Sequence, residues 1–166
     1  MRKLLLLFFL IPLLFTSCNK YKDGPCISFR SAEKRLTGKW RLSQITYNDK
    51  DISVAYYASH YDLFPYNIYS DWSQNLFISI THSDASIIAT APLTLNKKKT
   101  IITFGMIAQV PYEAIAKDIF TIIPPLSESN DWQILKLKND ALWIKTNFDA
   151  NNFELHFDLM TDFNDY

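Results

Sequence analysis

The sequence predicts an all-β domain, an antiparallel up-and-down barrel of about eight strands. Three observations carry this. From Gly38 onward, short runs alternate apolar and polar residues with a period of two. Clusters of Asn, Asp, Gly and Pro separate the runs at hairpin-like intervals. Helical periodicity is nearly absent. About eight strands close a barrel whose interior either fills with side chains or holds one small ligand. Closure also removes exposed strand edges.

The strands follow in order. Trp40, Leu42 and Gln44 alternate with Arg41, Ser43 and Ile45 in a first strand that ends near Tyr47, with a turn at Asn48-Asp49-Lys50-Asp51. Leu76, Ile78 and Ile80 mark a second strand, and His82-Ser83-Asp84 turns the chain. Ile87, Ala89, Ala91 and Leu93 mark a third. Lys97-Lys98-Lys99 reads as a solvated hairpin turn, followed by a strand through Ile101–Met106. Ile107–Tyr112 and Asp118–Ile123 are two further strand candidates, the second ended by Pro124-Pro125. Trp132–Leu137 and Leu142–Lys145 pair across Asn139-Asp140. Phe153, Leu155, Phe157 and Leu159 then alternate strictly with Glu154, His156 and Asp158.

One segment breaks this rhythm. Between Asp51 and Trp72 lie Tyr56, Tyr57, Tyr61, Phe64, Tyr66 and Tyr69. So many aromatics argue against disorder, and loops this long are usually functional. The segment follows the first strand, so it should begin at the open mouth of a barrel. Tyr56, Tyr57, Tyr61, Phe64 and Trp72 are the expected ligand-contacting rim, with core and lid packing as the other reading.

The chain before the domain reads as a targeting region. Met1-Arg2-Lys3 is basic, Leu4–Phe15 is apolar, and Thr16-Ser17-Cys18 closes the run with small residues. The apolar run is shorter than the ~18–20 residues of a membrane-spanning helix. The tetrad Phe15-Thr16-Ser17-Cys18 resembles a bacterial lipobox. That resemblance implies a signal peptide over residues 1–17, lipidation of Cys18, a lipidated tether over 18–31 and one domain over 32–166. Asn19, in place of the Asp that favours inner-membrane retention, points to the outer membrane, with either face possible. Cys26 would then be the single remaining thiol, so no disulfide framework is available.

The motif Arg35-Leu36-Thr37-Gly38-Lys39-Trp40 resembles the opening of a lipocalin. The resemblance implies that Gly38 and Trp40 form the barrel floor, the glycine allowing close backbone approach and the indole plugging the end. Trp132–Leu142 and Glu154–Phe157 resemble the closing strands of lipocalin-like domains in bacterial lipoproteins. The family usually places a late Arg over the floor Trp. No Arg follows Arg41 here, and Lys145 is the nearest substitute.

Seventeen basic residues balance seventeen acidic ones, and 48% of the chain is hydrophobic. This is a globular composition without the basic surplus of a nucleic-acid binder. His60, His82 and His156 are scattered, so no zinc cluster is expected. No Gly-x-Ser-x-Gly elbow occurs, and only three glycines are available for any phosphate-cradling loop. No enzyme activity, cofactor or metal is expected. The resemblance implies a membrane-anchored barrel that binds a small, mostly apolar ligand. The alternative is a filled barrel that serves as a structural or interaction subunit and docks to an envelope protein.

Overall fold

Alternating residues send one side chain inward and the next outward, and the longer strands among the described residues do this. In the computed structural model, which describes residues 21, 30–59, 64–82, 86–107 and 112–161, the strands are β1 (Gly38–Tyr47), β2 (Lys50–Asp51), β3 (Tyr66–Ser70), β4 (Leu76–Thr81), β5 (Ile87–Leu95), β6 (Ile101–Phe104), β7 (Asn130–Leu137), β8 (Ala141–Phe148) and β9 (Asn151–Leu159). Three short helices accompany them: α1 (Ala32–Leu36), α2 (Ser53–Ala58) and α3 (Glu113–Ile122), the last followed by a 3-10 turn at Pro124–Leu126.

Every neighbouring pair is antiparallel, and β1 pairs with both β3 and β9. Eight strands therefore close into an up-and-down barrel, with β2 a short hairpin appended to β1. The expected fold class is the one observed. The inward faces carry Trp40, Leu42, Tyr66, Ile78, Leu93, Ile102, Trp132, Ile144, Leu155 and Phe157, all buried in one continuous core.

Three sequence expectations need correction. First, Asp118–Ile123 is not a strand, because residues 113–122 form α3. Ala116, Ile119 and Ile123 are its buried stripe, spaced three and four apart as a helix requires. The β-branched run Thr121-Ile122-Ile123 hid that period. Of the neighbouring candidate Ile107–Tyr112, positions 108–111 lie outside the described residues. Second, the aromatic segment contains a strand, β3, registered against β4 from Tyr66↔Ile80 to Ser70↔Leu76. Third, Gln44 does not continue the inward face of β1. The register against β9 shifts between Leu42 and Gln44, and a bulge of one residue reverses the alternation beyond it. Ile45 is therefore the fully buried residue.

Only residues 38–40 of β1 pair with β3. Between them and the β2 pairing at Thr46 and Tyr47, that flank of β1 would be an open edge, and α2 covers it. The Ser53 hydroxyl accepts from the Ile45 amide at 2.9 Å, and the Ile52 amide donates to the Ile45 carbonyl at 2.9 Å. The Tyr57 hydroxyl donates to the Ser43 carbonyl. Side chains and one amide of a helical turn thus replace the missing ladder bonds, which buried backbone groups require.

The register separates the two ends of the barrel. The start of β1, with α1, shares one end with the β3–β4, β5–β6 and β7–β8 turns. The opposite end carries the β8–β9 turn, α2, α3 and the 3-10 turn.

Candidate functional site

The end where β1 starts is sealed by groups bonded to the strands. A Cβ on Gly38 would lie 2.7 Å from Leu159 Cδ1, and Gly38 has φ near +155°, so only glycine fits. Trp40 is fully buried and its indole N–H donates to the Leu36 carbonyl at 2.7 Å. Helix α1 thereby sits across the end of the barrel. Its Ser31 cap accepts from the Lys34 amide. Arg35 is buried and donates from Nη1 to the carbonyl of Leu137, at the end of β7, at 2.5 Å. Tyr21 is also buried here. Its ring lies 5.6 Å from the Arg35 guanidinium carbon, and its hydroxyl donates to the Lys99 carbonyl at 2.8 Å. Burial raises the Tyr21 pKa, partly offset by Arg35. The buried cation of this end thus comes from Arg35, ahead of the tryptophan. Lys145 lies midway along β8, opposite Gln133 and Glu154.

The other end is closed differently. Helix α3 packs against β5, α2 and the 3-10 turn, with Ala116, Ile119, Ile123 and Leu126 buried. Neither helix terminus carries a side-chain cap. Beneath it is a small apolar chamber of about 30 Å³ lined chiefly by Ile78, Ile80, Ala89, Ala91, Phe104 and Phe120. The two inward alanines of β5 leave this space where neighbouring strands present larger residues. Tyr66 and Thr90 also border it. The Thr90 hydroxyl is buried and has no hydrogen-bond partner among the described residues. The buried Tyr66 hydroxyl meets that of Tyr56 at 3.1 Å, and burial raises the Tyr66 pKa far above its usual value.

Of the rim residues that lie among the described ones, Tyr56 and Tyr57 pack edge to face at 6.3 Å, and Trp72 is not brought to them. Tyr56 is fully buried against Tyr66, and Tyr57 is held to β1 by its hydroxyl. Phe64 is buried, its ring 5.0 Å from that of His82 where β4 ends. Trp72 is fully exposed in the β3–β4 turn, which belongs to the sealed end. The expected mouth position of Trp72 is therefore corrected: β3, unrecognised in the sequence, carries the chain back across the barrel first. Tyr61 and Cys18 lie outside the described residues. The chamber residues were missed, although the Ala89-x-Ala91 pair on an apolar strand was a readable sign of space.

Among the described residues no three His, Cys, Asp or Glu side chains gather as a metal site would require, and no helix is long and apolar enough to cross a membrane. His156 instead contacts Glu154 at 2.6 Å and stacks on Trp143 at 4.2 Å.

A closed eight-stranded antiparallel barrel, with a helical turn and Gly-x-Trp leading into its first strand, has the lipocalin-like fold. No family model and no curated protein matches the chain. Among solved structures it is similar to a lipocalin-like protein from Bacteroides uniformis, at 15% identity and a TM-score of 0.47, over 76% of this chain and 99% of that one.

Proposed function

We propose that this chain is a membrane-anchored, lipocalin-like lipoprotein of the outer membrane that binds a small, mostly apolar ligand in the chamber beneath α3. The observation that supports it most is the chamber's construction. Its walls belong to the sheet, but its cover is a helix held by apolar packing. A chamber of about 30 Å³ holds little more than one water. A larger guest therefore enters only as α3 moves aside. Such a site suits binding without catalysis, and no cofactor or metal is part of this reading.

Fluorescence titration of the purified chain with fatty-acid-like and retinoid-like probes tests the chamber. Saturable binding is expected, weakened at least ~10-fold by Ala91→Leu, which costs the guest more than the ~1.4 kcal/mol that a factor of ten represents. Unchanged circular dichroism would show that the variant still folds. Absence of binding to the wild type would overturn the ligand reading. The small chamber favours a second reading, a self-filled barrel that docks to an envelope protein, which would then be the better account.

The anchor has its own test. Cys18→Ala should abolish the lipid-bearing mass of the mature chain. If that mass is absent from the wild type, anchoring through Cys18 fails, whatever the barrel binds.

A further inference from the structure

Trp72 and the lysine turn were singled out in the sequence for different reasons, and the fold brings them to the same end of the barrel. The β3–β4 turn holds Trp72 out at full exposure, with Tyr69 and Phe77 stacked at its base, ring centroids 5.8 Å apart. Two strands away, the β5–β6 turn presents Lys97 and Lys98 to solvent. Lys34 on α1, Lys39 at the start of β1 and Lys138 in the β7–β8 turn are exposed at this end too. Among the described residues its acids are fewer, with Asp158 opposite the exposed Arg41. Glu33 is paired with Lys99, Asp71 is bonded within its own turn to Ser73 and Asn75, and Asp140 lies in the β7–β8 turn. The opposite end carries Asp49, Asp51, Glu113, Asp118, Glu128 and Asp149 against Lys50 and Lys117, all exposed.

The course of the chain says what faces the basic end. Tyr21 is docked there, on the Lys99 carbonyl and beside Arg35. Cys18 is three residues earlier. Three residues span at most ~11 Å. A lipid on Cys18 would therefore hold this end, and not the mouth, close to the bilayer. Exposed tryptophan favours the headgroup interface. Each lysine near an anionic membrane surface contributes about fivefold in binding.

We propose that the Trp72, Lys97 and Lys98 end of the barrel is a docking surface for anionic phospholipid headgroups. It holds the barrel upright on the membrane with the α3-covered mouth facing away. This rests on the reading of Cys18 as the lipid-bearing residue, and extends it from attachment to orientation.

The test uses the processed full chain in vesicles of phosphatidylcholine and phosphatidylglycerol carrying bromine on the upper acyl positions. Flotation and intact mass report the anchor. Bromine quenching of tryptophan reports docking. Trp40 and Trp132 are fully buried, and a Trp72→Phe control isolates the signal of residue 72. The expected result is quenching that disappears in the control. It should also fade at high salt, and the docked-to-undocked ratio should fall about fivefold for each of Lys97→Gln and Lys98→Gln. A lipidated chain that floats but shows no quenching from residue 72 overturns docking and leaves the anchor intact. A chain with no lipid mass and no flotation overturns both. Shielding of Trp72 in native envelopes but not in vesicles would assign the surface to a protein partner, and the proposal fails.

Discussion

The two ends of this barrel are closed by different physics. At the β1 start, Trp40 bonds to Leu36 and Arg35 to Leu137. These are buried bonds onto strand ends and the chain leading into them. At the mouth, α3 is held by Ile119, Ile123, Ala116 and Phe120 packing on apolar surface. Apolar contact is non-directional, so such packing fixes a helix less sharply than directional bonds do. Buried hydrogen bonds cannot be broken so cheaply. One end is thus closed chiefly by buried hydrogen bonds, and at the other the α3 cover rests on apolar packing.

The largest expected effect is at the sealed end. Trp40→Ala should destabilise the domain by about 3–5 kcal/mol in chemical denaturation. A loss below about 1 kcal/mol would mean that the indole is not what closes that end.

Ile119→Ala tests the mouth. It should cost about 2 kcal/mol, at the low end for a buried isoleucine, because a loosely held helix can settle into the space. Amide hydrogen exchange in α3 should speed up while β1 and β9 stay protected. Equal acceleration in all three would remove the distinction between the ends.

Arg35→Met removes the donor from the Leu137 carbonyl and should cost about 1–3 kcal/mol. If the variant is instead as stable as the wild type, the guanidinium adds no net stability to the seal.

A smaller effect belongs to the β8–β9 turn at the mouth, where Asp149 and Ala150 have φ of 48° and 63°. Left-handed backbone costs alanine about 1–2 kcal/mol, and glycine returns part of that as lost chain entropy. Ala150→Gly should therefore stabilise by about 0.5 kcal/mol, read as a raised denaturation midpoint.

The smallest effect is electrostatic. The hydrogen bond from Lys99 is the chief cause that lowers the Glu33 pKa below its ordinary value of 4.5. A carboxylate whose folded pKa is lowered stabilises the fold above its unfolded value, and that contribution disappears as pH falls through the lowered folded one. Glu33→Gln should thus be slightly less stable than wild type near neutral pH. The two should converge in acid, below the folded-state value. Since the pair is exposed, the gap should shrink in high salt.

Much of the barrel was legible in the sequence. Strict alternation along residues 153–159 and the Asn139-Asp140 turn mark β7, β8 and β9 because a half-buried strand can satisfy only one periodicity. Gly38 and Trp40 stood out for the same reason that they matter, one having no side chain and the other the largest. What was illegible depended on partners far along the chain. Whether Tyr66–Ser70 is a rim or a strand depends on Leu76–Thr81 lying beside it, and with that pairing the turn at Trp72 moves to the opposite end. Ser53 and Tyr57 became structural only because β3 stops short of Ile45. The space beneath α3 depends on how the side chains of β4, β5 and β6 meet, which no local pattern encodes. By itself the sequence determined the alternation, the turns and the tryptophan at the start of the first strand, all local consequences of residue type. The tertiary structure alone decided which end is sealed, which is covered and which charges share a face, because those follow from register and closure between strands distant in the chain.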